Sequence, residues 1–521
     1  MAPLLRIPPF PGAKLRHFRP HPARAAETSI AEVLQALCRE RVGGSYWSAP
    51  PSKAPRGIVA RSRAVLPLAR ELAGEDGNVI LWPATGDDGG DLTGSHDPWS
   101  VLEIATGLIC TGDDEVLPIA RLLDVPVYLQ PGPDEVSVEQ AVTGLGSLAD
   151  PFTGEPMSML QAIELCGFWR RLIESNRDLI GALGFAFWKQ ESVAPLLWNG
   201  AGPLPFWRSV PTAVPAGAVA IWRSKAKPED IDSLESRGTM LVEVEDGFLR
   251  SAGLGADCVP PLSVTVDRLG PYFDHAQASE LEELLQNCQF GADVLDRARR
   301  LRKTIVAAGL GKYERGGTAV PRLGGDRRHI LIPGQVEDDR SVLTGGLGLS
   351  NLALLERVRR HNPDAFLLYK PHPDVEAGHR RGAIPQARCE ALCDQMVADL
   401  PIASLLDMVD EVHVNTSLAG FEALLRGKPV TTHGVPFYAG WGLTTDLGPV
   451  PDRRSARPSL DELVAATLLS YPRYLDPVTG LPCPAEVVVD RLCNAQPTAG
   501  LLVRARRLQG SLSRQWRSWR S

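Results

Sequence analysis

Three separated segments in the second half of the chain carry residue types that can perform chemistry. They are PGQVEDD (residues 333–339), YKPHPD (369–374) and NTSLAGFEALLRGKP (415–429). Each follows an apolar run typical of a strand, and ligands of open parallel sheets bind beyond the carboxyl ends of strands. Carboxylates, one histidine and a Ser/Thr helix start at such positions indicate a site rather than a core, and they suit a nucleotide-linked sugar.

The second and third segments supply polar groups for a phosphate. His372, held between two prolines, could donate to a phosphate, and Lys370 adds a positive charge beside it. Thr416 or Ser417 could cap a helix whose free N–H groups favour phosphate, and Glu422 could reach ribose hydroxyls. A satisfied histidine and a plain helix cap are the alternatives, but the two motifs together favour a site.

The first segment supplies carboxylates that could act on the sugar. Glu337, Asp338 and Asp339 are consecutive after the turn at Gly334. A carboxylate at a cleft can be a general base or a covalent nucleophile on an anomeric carbon. A solvated acidic loop is the alternative.

A fourth segment, EDGFLRS (245–251), lies well upstream of these three. Glu245 and Asp246 would face the cleft from the acceptor side, and Arg250 could bind the carboxylate of an acidic sugar with two parallel hydrogen bonds. The sequence contains no metal-ligand set and no G-x-x-x-x-G-K-[ST] phosphate loop.

Alternating strands and helices must position these segments. Apolar patterns predict strands at 216–222, 239–244, 329–332, 365–369, 411–414 and 429–432, and helices at 280–308, 350–361 and 418–426. Such alternation is typical of doubly wound α/β domains with parallel sheets. We predict an acceptor-side domain at 215–325 and a donor-binding domain at 326–475, with the site in the cleft between them.

The first half of the chain repeats part of the second. Two pairs of segments share their residue pattern: 109–132 with 412–434, and 150–165 with 476–492. Asp114 stands where the second copy has Ser417, and the first copy lacks a counterpart of 436–446. We interpret 51–214 as a truncated, degenerate copy of the same module that has lost its site. Chance similarity of two Rossmann-like halves is the alternative.

Composition limits the class of protein. The 521 residues are 44% hydrophobic and 22% charged, with a net charge of -7, which is ordinary for a globular protein and argues against a nucleic-acid partner. Nine cysteines without a CxxC motif are interpreted as buried thiols in a reducing compartment. No apolar run is long enough for a membrane span or a secretory signal, so a cytoplasmic location is expected.

Both ends of the chain are basic. The N-terminal segment, 1–50, begins with a Pro-rich basic stretch that we expect to be disordered. The C-terminal segment, 476–521, ends in a stretch (504–521) with six Arg and no acid, in which two Leu and two Trp share one helical face. A basic amphipathic end with Trp suits an anionic membrane surface; a solvated tail is the alternative.

Several of these segments, in this order, resemble the KpsC/LipB capsule polysaccharide proteins, which are Kdo (3-deoxy-D-manno-octulosonic acid) glycosyltransferases. The segments are EDGFLRSAGLGADCVPPLS, PGQVEDD, YKPHPDV, TSLAGFEALLRGKPVTTHGVPFYAGWGLT and DPVTG. The resemblance is strong over about 215–493 and weak over 100–215. It implies a GT-B fold, with two Rossmann-like domains facing a cleft, and the tandem modules common in the family agree with a degenerate first copy.

The resemblance also implies an activity. The donor would be CMP-β-Kdo, transferred without a cofactor or metal and with retention of configuration. The acceptor would be a (lyso)phosphatidylglycerol-linked Kdo in the capsular polysaccharide linker. The protein would act in the cytoplasm at the periphery of the inner membrane, and a second Kdo transferase and the capsule export complex are possible partners. A single active module would form only one type of linkage.

Roles for single residues follow from the same resemblance. Retention implies double displacement, and the family pattern Q-V-x-x-D assigns the nucleophile to Asp339, with Asp338 as second choice. Glu245 or Asp246 would be the acid/base towards the acceptor. Groups holding CMP would be Gln335, Lys370, His372, Pro373, Thr416, Ser417 and Glu422; Tyr438 and Trp441 would shape the sugar pocket.

Two other functions remain open from the sequence. The same fold could transfer another CMP- or UDP-linked sugar. The protein could also be a non-catalytic scaffold or export component of capsule assembly, although intact motifs argue against an inert second half.

Overall fold

The computed structural model describes residues 4–494 except 24, 26–27, 52–54, 76, 84–91, 93–95, 145, 250–258, 312–320, 323 and 379. The chain forms two compact units. The first comprises Met1–Leu179, Ala194–Leu204 and Pro477–Pro482, and the second comprises Ile180–Val193, Pro205–Asp476 and Cys483–Ser521. The five-segment division expected from the sequence remains a prediction.

The first unit contains two small sheets. Its strands are β1 (Arg19–Pro20), β2 (Gly57–Ala60), β3 (Asn78–Leu81), β4 (Ala105–Cys110), β5 (Val127–Leu129), β6 (Leu148–Ala149) and β7 (Pro156–Met157). Its helices are α1 (Ile30–Glu40), α2 (Leu66–Ala73), α3 (Pro98–Glu103), α4 (Leu117–Leu122), α5 (Val138–Thr143) and α6 (Met159–Glu174). Strands β2 to β5 form a parallel sheet in the order β3-β2-β4-β5, and β1, β6 and β7 pair antiparallel.

The expectation that the N-terminal stretch is disordered is wrong for its described residues. Leu4, Leu5 and Ile7 are buried, and Phe10 is fully buried. The Phe10 ring lies 5.1 Å from the ring of Trp198 and 6.2 Å from that of Trp169. The prolines and basic residues concealed an apolar pattern that packs into the core of the first unit.

The second unit contains two larger sheets. Its strands are β8 (Leu179–Leu183), β9 (Phe206–Trp207), β10 (Ala218–Ile221), β11 (Met240–Asp246), β12 (Ser263–Asp267), β13 (His329–Pro333), β14 (Phe366–Lys370), β15 (Gln395–Met396), β16 (Glu411–Val414), β17 (Val430–Thr432), β18 (Thr445–Asp446), β19 (Pro472–Leu475) and β20 (Pro482–Cys483). Its helices are α7 (Phe187–Val193), α8 (Pro228–Ser236), α9 (Glu280–Asn287), α10 (Ala292–Ala307), α11 (Arg340–Gly345), α12 (Asn351–His361), α13 (Pro373–Glu376), α14 (Gln386–Leu392), α15 (Ile402–Met408), α16 (Leu418–Leu425), α17 (Leu460–Val464) and α18 (Ala485–Asn494).

The sheet that contains the strands predicted for the acceptor-side domain is mixed rather than wholly parallel. Its order is β20-β19-β12-β11-β10-β8-β9. Strands β10 and β11 are parallel, as predicted, whereas β12 runs antiparallel to both of its neighbours, β11 and β19. The sequence between β11 and β12 is rich in Gly and Pro and lacks the apolar periodicity of a crossover helix, which a parallel return would need.

The other sheet is fully parallel, with the order β15-β14-β13-β16-β17-β18. Numbered along the chain this is 3-2-1-4-5-6, the doubly wound order in which a crevice opens where the strand order reverses. The reversal lies between β13 and β16. The segments PGQVEDD and NTSLAGFEALLRGKP therefore begin at the two strand ends that border this crevice.

Packing against this sheet explains its helices. Ser350 caps α12 by accepting from the Ala353 N–H, and Leu354, Leu355 and Val358 bury against the sheet. The predicted strands and helices of this region are confirmed, with ends that differ by one or two residues. One prediction is wrong: the helix expected at 280–308 is two helices, because Cys288 ends α9 in a left-handed conformation (φ 44°).

The repeat pattern has a counterpart in the fold. The chain runs β4–α4–β5 in the first unit and β16–α16–β17 in the second, and both strand pairs are parallel. The parallel order β3-β2-β4-β5 also corresponds to β14-β13-β16-β17. A common origin, with truncation of the first copy, remains a prediction.

Candidate functional site

The ends of β13 and β16 are joined by a pair of hydrogen bonds at the crevice. The Gln335 side-chain amide donates to the Thr416 hydroxyl (3.0 Å), and its oxygen accepts from the Thr416 N–H (2.9 Å). Gln335 is buried. The two segments expected to share one site are thus held together by a neutral side chain that contacts both backbone and hydroxyl.

A buried asparagine fixes the loop after β13. Asn351 Oδ1 accepts from the Gln335 N–H (2.9 Å), and Asn351 Nδ2 donates to the carbonyl oxygens of Gln335 (2.7 Å) and Gly382 (2.9 Å). The Glu337 carboxylate accepts from the Asn351 N–H at the start of α12 (2.8 Å). Glu337 is therefore a structural cap, which separates it from the two aspartates that follow it.

A cavity of about 400 Å³ opens at these strand ends. Its wall includes eight of the residues predicted from the sequence: Gln335, Asp339, Lys370, His372, Pro373, Thr416, Ser417 and Glu422. Aromatic rings of Tyr272, Phe273 and Phe437 also line it. The volume fits the range of small-molecule sites, and the mixture of apolar wall and few polar groups is typical of them.

The two candidate nucleophiles differ in position. Asp339 lines the cavity and caps α11, and its Oδ1 accepts from the Ser341 N–H (3.0 Å) and hydroxyl (2.7 Å). Both bonds use one oxygen, so among the described residues Oδ2 carries no hydrogen bond. Asp338 is absent from the described lining and forms an exposed ion pair with Arg380. The geometry therefore favours Asp339 over Asp338.

The KPHP segment forms two distinct contacts. His372 caps the short helix α13, and its Nδ1 accepts from the Asp374 N–H (3.2 Å), which places the proton of a neutral ring on Nε2. Lys370 is buried, and its ammonium group donates to the carbonyl oxygens of Ala398 (3.0 Å) and Leu400 (2.6 Å). Lys370 lines the cavity, as expected, and its ammonium group also holds the loop at Ala398 and Leu400 against the end of β14.

Helix α16 begins at the cavity. Ser417 is its N-cap and accepts from the Ala419 N–H (3.3 Å), while Glu422 is buried on the next turn and lines the cavity. The helix start and its dipole favour a negative group on this side.

Tyr438 and Trp441 lie in the interior rather than on the described cavity wall. The Tyr438 hydroxyl donates to the Ser417 carbonyl, and burial raises the Tyr438 pKa. The Trp441 indole donates to the Phe437 carbonyl (2.8 Å). From outside the cavity wall, Tyr438 therefore supports the start of α16, and Trp441 supports the wall residue Phe437.

The acidic pair at the end of β11 meets two basic residues. Glu245 forms an ion pair with Arg340 (2.8 Å), the residue after Asp339, and Asp246 pairs with Lys189 (3.1 Å). Burial raises the pKa of Glu245 to about 7, although Arg340 opposes the shift. A carboxyl group that titrates near neutral pH suits general acid/base work. Neither acid lines the described cavity, and Arg250 lies outside the described residues.

Sequence reasoning missed several residues of the site. Asn351 and Arg380 carry no motif of their own, and each reaches the site only through the fold. Arg340 is adjacent to the acidic loop, but its contact with β11 joins segments far apart in the chain. Phe437 is different, because it lies in the segment PFYAGWG beside Tyr438, the residue that was predicted to shape the pocket.

Across the described residues, no helix combines the length and apolar character needed to cross a bilayer.

Comparison with known proteins agrees with the architecture and the motifs. The family model of capsule polysaccharide biosynthesis proteins matches residues 218–315 and 316–474. The chain is 37% identical over 366 residues to the capsule polysaccharide modification protein LipA of Neisseria meningitidis serogroup B, covering 69% of this chain and 50% of LipA. It is 47% identical over 239 residues to the lipopolysaccharide-processing protein LpsZ of Rhizobium meliloti, covering 45% of this chain and 54% of LpsZ.

A solved structure supports the same relationship. The β-Kdo 2,4 transferase part of KpsC from Thermosulfurimonas dismutans superposes with a TM-score of 0.53 at 31% identity, covering 60% of this chain and 98% of that one. The α/β GT-B fold predicted from the sequence is confirmed. The chain spans about half the length of the curated relatives it matches. The sequence, the fold and these similarities together show that the chain belongs to the KpsC/LipB-type family of capsule polysaccharide biosynthesis proteins.

Proposed function

We propose that the protein is a retaining β-Kdo glycosyltransferase. It would transfer Kdo from CMP-β-Kdo to a (lyso)phosphatidylglycerol-linked Kdo acceptor in the capsular polysaccharide linker. The observation that carries the proposal is the cavity at the ends of β13 and β16, where Asp339, His372 and Ser417 line one space. A carboxylate, an N–H donor and a helix start are the groups that transfer from a nucleotide sugar requires.

The first step of the proposed reaction uses Asp339. An Asp339 carboxylate oxygen attacks the anomeric carbon, the bond from that carbon to the CMP phosphate oxygen breaks, and CMP leaves with the electron pair. The start of α16 and the Nε2–H of His372 stabilise the departing phosphate. The sugar is then bound covalently, with inverted configuration.

The second step restores the configuration. Glu245 takes the proton of the acceptor hydroxyl, whose oxygen attacks the anomeric carbon while the bond to Asp339 breaks. Two inversions give net retention. The pKa of about 7 at Glu245 supports this role, and its ion pair with Arg340 connects it to the residue next to the nucleophile. Asp246 is the second candidate for this base.

The setting of the reaction is part of the proposal. An acceptor carried on a lipid requires the protein to work at the periphery of the inner membrane, on its cytoplasmic side. A second Kdo transferase would extend the product, and the capsule export complex would receive it. We propose transfer without a metal, since the groups named above supply the charge stabilisation.

The direct test is a CMP-release assay. CMP-Kdo generated in place is mixed with a Kdo-primed lipid acceptor, and wild type is compared with Asp339→Ala, with and without EDTA. Intact-protein mass spectrometry runs in parallel. We expect acceptor-dependent release that resists EDTA, is lost in the variant, and leaves a Kdo-sized adduct on the wild type.

Other outcomes discriminate between the alternatives. Tight binding of UDP rather than CMP would indicate another nucleotide sugar. Binding of neither nucleotide, together with normal capsule production in cells that carry Asp339→Ala, would favour a scaffold or export component. Release that survives Asp339→Ala would contradict the assignment of the nucleophile.

A further inference from the structure

The cavity contains three described residues that can carry positive charge, namely Lys370, His372 and Arg380. Lys370 uses its ammonium group on two backbone carbonyls, and His372 accepts an N–H through Nδ1. Arg380 differs because its contacts are with another side chain. Its Nε lies 3.2 and 3.3 Å from the two oxygens of Asp338.

The Arg380–Asp338 ion pair is exposed. The exposed fractions of the two side chains are 38% and 44%. Exposed pairs of this kind contribute little to stability, because water competes for both partners and two long side chains must be ordered. Arg380 can therefore exchange Asp338 for an anion in the cavity at small cost.

The backbone that carries Arg380 is held in place. Its N–H donates to the Asp374 carbonyl of the KPHPD segment (3.2 Å), and the next carbonyl, of Arg381, accepts from the Glu337 N–H (3.1 Å). The Gly382 carbonyl accepts from Asn351 Nδ2 (2.9 Å). These bonds fix the loop to the cavity wall, so the exchange of partners requires only side-chain movement.

We propose that Arg380 binds the carboxylate of the donor's sugar, and that Asp338 is its partner when the site is empty. This inference rests on the proposed function, in which the donor is a nucleotide-linked sugar acid. Such a donor has two anionic groups. The phosphate is matched by His372 and the start of α16, whereas a planar guanidinium matches a carboxylate with two parallel hydrogen bonds.

The proposal gives Arg380 and Asp338 opposite effects. Loss of Arg380 should weaken binding of the carboxylated donor and leave CMP unaffected, because CMP lacks the carboxylate. Loss of the Asp338 charge should strengthen donor binding, because it removes the competing anion. An Asp338 nucleophile, in contrast, would make the same substitution abolish turnover.

The experiment compares wild type with Arg380→Gln, Asp338→Asn and the neighbouring control Arg381→Gln. For each protein, the KM for CMP-Kdo is measured by CMP release, and the Kd for CMP is measured by calorimetry. We expect Arg380→Gln to raise KM about tenfold or more, since a lost charged hydrogen bond is worth roughly a factor of ten, with the CMP Kd within about twofold. Asp338→Asn should lower KM, and Arg381→Gln should match wild type.

Each other result has a separate meaning. An unchanged KM in Arg380→Gln, or a parallel loss of CMP affinity, would overturn the role of Arg380 in binding the sugar carboxylate. Loss of turnover in Asp338→Asn would overturn its assignment as a resting partner. Failure of wild type to bind CMP would refute the proposed function itself, and this arm distinguishes the two failures.

Discussion

Two parallel sheets of this chain close their central strand ends in different ways. After β2 in the first unit, buried Arg61 donates to Asp114 (3.0 Å) and to the Trp82 carbonyl (2.9 Å), and its guanidinium lies 4.3 Å from the centre of the Trp82 ring. After β13 in the second unit, Gln335 and Thr416 make the corresponding connection without charge. The strands, rather than the single residues, occupy corresponding places in the orders β3-β2-β4-β5 and β14-β13-β16-β17.

The difference shows that the strand ends of a parallel sheet can be occupied by an internal ion pair or left accessible to a ligand. An internal ion pair neutralises the cation that could attract an anionic ligand, and a ring lies over the guanidinium. A neutral amide holds the strand ends together and leaves the nearby helix start unneutralised, so its field remains available to a phosphate. We propose that the first sheet uses this edge only for packing and that the second uses it for binding.

The proposed difference between the two sheets is tested most directly at Asp339. Asp339→Asn keeps a good helix N-cap, so the fold should persist, but an amide cannot form the covalent intermediate. We expect a loss of at least about 10³-fold in kcat, measured by CMP release, since removal of a nucleophile commonly costs that much or more. The thermal midpoint should stay close to that of wild type. Activity within tenfold of wild type would show that another group attacks the sugar.

The matched variant in the first sheet should do the reverse. Asp114→Asn leaves the buried Arg61 with only Glu115 as a counter-charge, at 3.9 Å, and breaking a buried pair costs up to about 3–5 kcal/mol. Denaturant unfolding should show this loss, whereas kcat per folded molecule should not change. A large fall in kcat with little loss of stability would mean that the first sheet takes part in the reaction.

The pH dependence of the unfolding free energy tests how burial of Glu245 affects stability. The pKa of Glu245 rises from its ordinary value of 4.5 to about 7, so folding takes up a proton between these values. Its contribution to stability is complete below pH 4.5 and is lost as the pH rises through 7, by about 3 kcal/mol. Glu245→Gln should remove this slope from the pH dependence of unfolding, and parallel curves for the two proteins would contradict it.

The same variant sharpens the assignment of the base. An amide cannot accept the acceptor proton, so kcat/KM should fall about 10²–10⁴-fold and lose its limb near pH 7. Asp246→Asn is the matched control, and it should retain that limb if Glu245 is the base.

The smallest effect is expected at Tyr438, in the segment 436–446. Tyr438→Phe removes the hydroxyl that donates to the Ser417 carbonyl while keeping the buried ring. We expect a loss of about 1 kcal/mol in unfolding free energy, the usual contribution of one hydrogen bond, and a modest rise in the Kd for CMP. Denaturant unfolding measures the first quantity, and titration calorimetry with CMP measures the second. An unchanged Kd would show that the start of α16 needs no support from Tyr438.

Sequence reasoning reached the donor-binding sheet and eight residues of the cavity because both depend on local pattern. Short apolar runs, prolines beside His372 and a Ser/Thr helix start are all visible within a few residues. The antiparallel strand β12 and the break at Cys288 were missed because they depend on tertiary packing rather than periodicity.

The choices that the sequence left open at the site have one physical origin. Tyr438 and Phe437 are adjacent aromatics, and only the direction of the chain decides which ring enters the cavity and which is buried. In the same way, Asp338 and Asp339 are adjacent residues with identical side chains. The start of α11 gives one to the cavity and leaves the other to a surface cation.

The neutral bridge between Gln335 and Thr416 also has a genetic consequence. A glutamate at position 335 could accept from the same N–H and hydroxyl with nearly the same shape, but it would place a negative charge where the phosphate is proposed to bind. The codons for Gln and Glu differ at one nucleotide. A single mutation could therefore silence such a module while its fold survives, and a tandem protein could lose one activity long before it loses a domain.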